Sequence, residues 1–131
     1  MAQIGMGVTL LGVDHPEFGY TYNLAAATAK THVGRAVSVD TSAANTMKPA
    51  ADGETVRGVL FTFEDRVSEG VKVGTVRHKG GYRVPIAAGQ EVTVGQSVVG
   101  AGDGTVKAAA SPLPHNFVAE VGNGYAVVVF L

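Results

Sequence analysis

The stretch Asn116-Phe117-Val118-Ala119-Glu120-Val121-Gly122-Asn123-Gly124-Tyr125-Ala126-Val127-Val128-Val129-Phe130-Leu131 holds two β-prone runs joined by Gly-Asn-Gly. Glycine and asparagine supply the positive φ angles of a tight hairpin turn, and the run after them is β-branched at its centre. Because Ala126 to Leu131 is apolar at odd and even positions alike, the spacing predicts a central strand covered on both faces.

The same punctuation recurs upstream. Asp52-Gly53, Glu69-Gly70, Lys79-Gly80-Gly81 and Gly102-Asp103-Gly104 each separate two β-rich runs. Strands are expected at 35–39, 55–63, 71–77, 82–86, 91–94, 105–108, 116–121 and 125–131. Within 55–63, Val59, Phe61 and Phe63 alternate with Leu60 and Thr62, which predicts a core face carrying both phenylalanines. No amphipathic segment of helical length lies between consecutive strands, so parallel βα units are not expected.

Texture changes near Gly34. Residues 1–33 show no sustained period and read as an irregular N-terminal arm, with at most one short helix at 24–30 capped by Asn23. The expectation is an all-β fold, a small antiparallel β-barrel or β-sandwich over residues 34–131, preceded by the arm at 1–33.

The composition narrows the function. The 131 residues carry ten Lys and Arg against eleven Asp and Glu, so no long-range field draws in nucleic acid or an anionic membrane. A low-charge, rather apolar chain has little electrostatic repulsion to oppose self-contact, which points to an oligomer or an assembly component. There is no cysteine, which removes disulfides, thiolate catalysis and thiolate-bound metals. Met1 to Gly7 lacks a basic signal-peptide start, and no run reaches the roughly 18 apolar residues of a membrane span. Synthesis and use in the cytoplasm are expected.

No constellation for catalysis emerges. His15, His32, His78 and His115 are scattered and never pair at metal-ligand spacing. Asp14-His15-Pro16-Glu17 reads as an irregular turn, and Glu64-Asp65-Arg66 as a solvated turn with a local ion pair. Gly100-Ala101-Gly102-Asp103-Gly104 has the glycine density of a phosphate loop but lacks the following Lys-Ser or Lys-Thr, and is expected to be a hairpin loop. Arg77-His78-Lys79 with Tyr82-Arg83 is expected to form a cationic hairpin tip. No serine occupies a Gly-x-Ser-x-Gly elbow. The expectation is a protein that is not an enzyme and uses no cofactor or metal. Met47-Lys48 and the segment Gly89 to Val98 loosely resemble parts of biotinyl or lipoyl carrier domains, which makes a carrier or another small β binding module the alternative.

A closer resemblance is to bacteriophage capsid decoration proteins, the small β-barrel-like cement proteins encoded beside the major capsid protein. It runs in order through Gly34-Arg35-Ala36-Val37, then Met47-Lys48-Pro49-Ala50-Ala51-Asp52-Gly53-Glu54, Arg57-Gly58-Val59-Leu60 and Gly70 to Val76. Val84-Pro85-Ile86, Ala88-Gly89-Gln90-Glu91-Val92, Gly104-Thr105-Val106-Lys107-Ala108 and Asn116 to Val121 complete it, over about three quarters of the chain. The resemblance implies a structural protein on the virion exterior, bound to the major capsid protein and to itself, as a trimer first and a dimer next. Interfaces favour aromatics and methionine, so Met6, Leu10, Leu11, Phe18, Tyr20 and Tyr22 of the arm are the candidate capsid or subunit contacts. Packing of the arm as a flap on its own barrel is the competing expectation.

Overall fold

The computed structural model describes residues 19–131. Its strands are β1 (Gly19–Leu24), β2 (Ala36–Val39), β3 (Thr46–Pro49), β4 (Gly58–Leu60), β5 (Glu64–Arg66), β6 (Val71–Arg77), β7 (Gly80–Pro85), β8 (Val98–Gly102), β9 (Thr105–Ala108), β10 (Asn116–Val121) and β11 (Tyr125–Phe130). Short 3₁₀ turns occupy Lys30–His32 and Val67–Glu69. The fold is all-β, as expected.

Five strands close a barrel in the order β1-β3-β2-β4-β6, because β6 pairs with β4 on one side and β1 on the other. The β1–β3 pair is parallel and the other four are antiparallel. So narrow a barrel leaves room for few side chains. Each strand contributes one to the interior: Leu24, Met47, Val37, Leu60 and Val76, with Tyr22 and Phe63 packed against them. Gly74 lets the wall close. A Cβ there would collide with the Thr62 carbonyl and lie 2.9 Å from Leu24 Cδ1 and 3.0 Å from Leu60 Cδ1.

A three-stranded sheet, β10-β11-β7, and the β8–β9 hairpin pack against the barrel's outer wall. A parallel bridge between Ile86 and Val106 ties the two together. Between them lies a second, larger core that includes Val84, Val98, Val106, Val118, Val128 and Phe130. The alternation of β2 and β4 feeds both cores: Val37 and Leu60 point into the barrel, while Ala36 and Val59 join the second core. Asn116 locks β10 to β8 from within, its Oδ1 accepting Val98 N–H at 2.9 Å while the Ser97 hydroxyl donates to the Asn116 carbonyl at 2.9 Å.

Several sequence expectations change. The arm does not extend to residue 33, because β1 pairs with β6 from Gly19↔Arg77 to Asn23↔Val73 and buries Leu24. The helix at 24–30 is absent: Ala25 N–H donates to the Met47 carbonyl, and the Lys72 ammonium takes the Ala26 and Thr28 carbonyls at 2.6 and 2.8 Å. Two turns of alanine propensity lose to those tertiary bonds.

The expected strand 55–63 shortens to β4 because Phe61 and Thr62 both direct N–H groups at the Thr75 carbonyl, at 2.7 and 3.4 Å. Two residues opposite one make a bulge, which breaks the alternation. Phe63 therefore turns to the barrel interior, whereas Phe61 is 49% exposed with the Arg77 guanidinium 4.0 Å above its ring. Residues 91–94 form no strand and lead into a turn at Val94-Gly95, and β3, β5 and β8 are strands that periodicity did not flag.

Candidate interaction surfaces

Of the named contact candidates, Met6, Leu10, Leu11 and Phe18 lie outside the described residues. Tyr20 and Tyr22 stand two apart on β1, on the side that faces the barrel interior, and they part ways. Tyr22 packs on the barrel core, and its hydroxyl meets His78 Nε2 at 2.7 Å. His78 Nδ1 lies 2.8 Å from the Arg57 carbonyl, an acceptor, so Nδ1 carries the proton and Nε2 accepts from Tyr22. Burial, and then neighbouring Tyr20, push the Tyr22 phenol above its ordinary range. Tyr20 stacks edge-on to Tyr22 at 6.5 Å and is 58% exposed at the barrel mouth.

Phe61 is a surface aromatic that periodicity assigned to the core. Tyr20 pairs opposite Val76 and Phe61 bonds to the Thr75 carbonyl, so the two residues flank adjacent positions of β6, Tyr20 on the inner side of the wall and Phe61 on the outer.

A third exposed surface is the outer side of the β10-β11-β7 sheet. The run to Leu131 is central in its sheet, but the described residues cover one face alone: Ala126, Val128 and Phe130 are buried, and Tyr125, Val127 and Val129 are half-buried on the other side. Strand register sets out the outer face in rows. Phe117, Val129 and Gly81 form one row, and Glu120, Val127 and Arg83 the next. Beyond them the Arg83 guanidinium lies 4.1 Å over the Tyr125 ring. Sequence reasoning missed this face because an apolar run looks alike whether one side or both are covered.

Other polar groups serve the fold. His32 Nδ1 accepts Ala29 N–H at 2.9 Å, so Nε2 donates to Asp103 Oδ1 at 2.6 Å. Arg35 Nη1 reaches Asp103 Oδ2 at 3.1 Å, and these two partners hold the Asp103 carboxyl below the usual range, the His32 bond first. The bonds staple the turn after β1 to the tip of the β8–β9 hairpin, where Asp103 and its flanking glycines all take positive φ. The hairpin loop expected at Gly100 to Gly104 is narrower, a two-residue Asp103-Gly104 turn, because Gly100 to Gly102 belong to β8.

Lys48 sits within β3 and not at a hairpin tip, its Nζ 2.9 Å from Glu54 Oε2. Glu54 also accepts the Ser38 hydroxyl at 2.7 Å, which is the main cause of its lowered carboxyl. Arg66 pairs with Glu64 at 3.2 Å, the local ion pair expected there, though on β5 and not in a turn. An open groove of about 470 Å³ runs past Asn23, Leu24, Asp65 and Lys72, whose ammonium is already committed to backbone carbonyls. Among the described residues no three His, Asp or Glu side chains converge on a point where a metal would sit, and no helix is long and apolar enough to cross a membrane.

Comparison with protein-family models, with curated proteins and with solved structures finds no match.

Proposed function

We propose that this protein is a capsid decoration protein, a structural component that binds the outer surface of a phage shell and stabilises it, and that it self-associates. The observation that carries the reading is the pair of exposed aromatics, Tyr20 and Phe61, on either side of β6. Tyr20 stands on β1 and Phe61 at the bulge after β4, its N–H bonded to the Thr75 carbonyl, and aromatic rings held in place are the groups interfaces favour, since they bury large area at little cost in side-chain entropy. The carboxylates of Glu54, Asp103 and Asp52, by contrast, are engaged with Lys48, His32 and Lys107 of the same chain. The ordered series of turn-and-valine motifs that resembles decoration proteins supports the same reading. A shell presents many equivalent sites, so weak contacts multiply when an oligomer touches several subunits at once.

The reading expects a major capsid protein to be encoded beside this chain, and the test is co-sedimentation with shells assembled from that protein. Saturable binding is expected, weakened at least ~tenfold in Tyr20→Ala or Phe61→Ala. Absence of co-sedimentation would overturn the proposal, as would full binding by a Tyr20→Ala/Phe61→Ala double variant.

A further inference from the structure

We propose that the outer face of the β10-β11-β7 sheet docks a second copy of this chain, face to face, about a two-fold axis running along β11. This deepens the proposed function by naming the self-contact, and it stands or falls without any shell.

The face has the layout of an interface. Its centre is apolar, with Val127 and Val129 on β11 and Phe117, 38% exposed, on β10. Its charged residues sit on opposite edges of one row, Glu120 on β10 and Arg83 on β7, with Val127 between them, and the Arg83 guanidinium reaches on over the Tyr125 ring. An apolar centre with charges at the rim is how protein interfaces are built.

The register then selects the symmetry. A two-fold along β11 lays β10 of one copy over β7 of the other and keeps the rows level. Glu120 meets the partner's Arg83 twice, once on each side of the axis. A two-fold across the strands, through the Val127 row, would stack Glu120 on its own copy and Arg83 on its own copy, which like charges disfavour. Aligned sheets pack within about 30° of each other, so rows this close to the axis stay in register.

Shape agrees with charge. Gly81 shares its row with Val129 and Phe117, and the same two-fold places the partner's Phe117 over it. Among the described residues nothing requires a glycine there. Its φ lies outside the positive region, and an added Cβ would meet the Val129 and Val127 methyls at ordinary contact distances of 3.6 and 3.9 Å. Glycine weakens a strand interior and marks places where another group approaches closely. Here that group is the partner's phenyl ring. Three strands offer less area than the ~800 Å² per partner of a stable complex, so the dimer is weak and concentration-dependent in free solution.

Sedimentation equilibrium of the full chain, from low micromolar to millimolar, tests this. Mass is expected to rise from one protomer to two and to stop there. Glu120→Arg and Arg83→Glu should each raise the dissociation constant at least ~tenfold, because symmetry counts every change twice. The double reversal should return it to within about threefold of the parent. Gly81→Thr should leave the thermal melt intact and weaken the dimer, which keeps the test decisive should Arg83→Glu fold poorly. A protomer mass throughout, as when residues 1–18 of the same chain cover the face, overturns the proposal. So do a three-protomer species, variants that associate like the parent, or a double reversal that fails to restore pairing.

Discussion

His32 Nε2 donates to Asp103 Oδ1 at 2.6 Å across 71 positions of sequence, joining the turn after β1 to the tip of the β8–β9 hairpin. The bond therefore reports on the seam between the barrel and the second unit. A carboxyl with a depressed folded pKa contributes stability above its unfolded value near ~4, and that contribution is lost as pH falls through the lower folded value. Asp103→Asn keeps an acceptor for His32 and tolerates the positive φ, and it removes the charge together with the oxygen that accepts from Arg35 Nη1. Its melting temperature is expected to fall below the parent's at neutral pH, with the gap closing below about pH 4. Melting curves from acid to neutral pH check this; a constant gap would show that Asp103 acts through geometry instead of charge.

The strand β11 offers a paired comparison. Val128 is fully buried in the second core, whereas Val129 is half-buried on the outer face. Val128→Asp is expected to prevent folding, since an unpaired buried carboxylate costs several kcal/mol. Val129→Asp should give soluble protein with a cooperative melt. Yields and circular dichroism of the two distinguish them.

Gly74→Ala tests barrel closure. Its Cβ would press on the Thr62 carbonyl, a backbone group held by the bulge, so relief demands that strands separate. A loss of about 3 kcal/mol or more is expected in urea titration. Gly81→Ala, with ordinary contacts, should cost less than about 1 kcal/mol.

Deleting residues 1–24 would remove β1, including Leu24 from the barrel interior, and leave the edges of β3 and β6 unpaired. The truncated chain is expected to lose its cooperative thermal transition. Deleting residues 1–18 instead retains every described strand and should preserve the transition, which differential scanning calorimetry would read directly.

What the sequence determined by itself was local. Turn chemistry and two-residue alternation placed 71–77, 105–108 and 116–121 at the bounds observed for β6, β9 and β10. The glycine turns at Glu69-Gly70, Asp103-Gly104 and Gly122-Asn123-Gly124 join paired strands, whereas Asp52-Gly53 and Lys79-Gly80-Gly81 join strands that do not pair with each other, so the cationic hairpin tip expected at 77–83 is a link between two sheets. Tertiary structure decided the rest. Tyr20 and Tyr22 alternate like a strand for too few residues to stand out, and β1 exists because β6, some fifty positions away, offers it partners. The two N–H groups at the Thr75 carbonyl shift Phe61 and Phe63 to different faces, and no local period foretells one extra residue. Likewise Ala126 to Phe130 is apolar on both sides, and the rest of the fold leaves the side bearing Val127 and Val129 half-open. Backbone preference is set by a residue and its neighbours, whereas pairing and burial are set by residues the chain brings together from far apart.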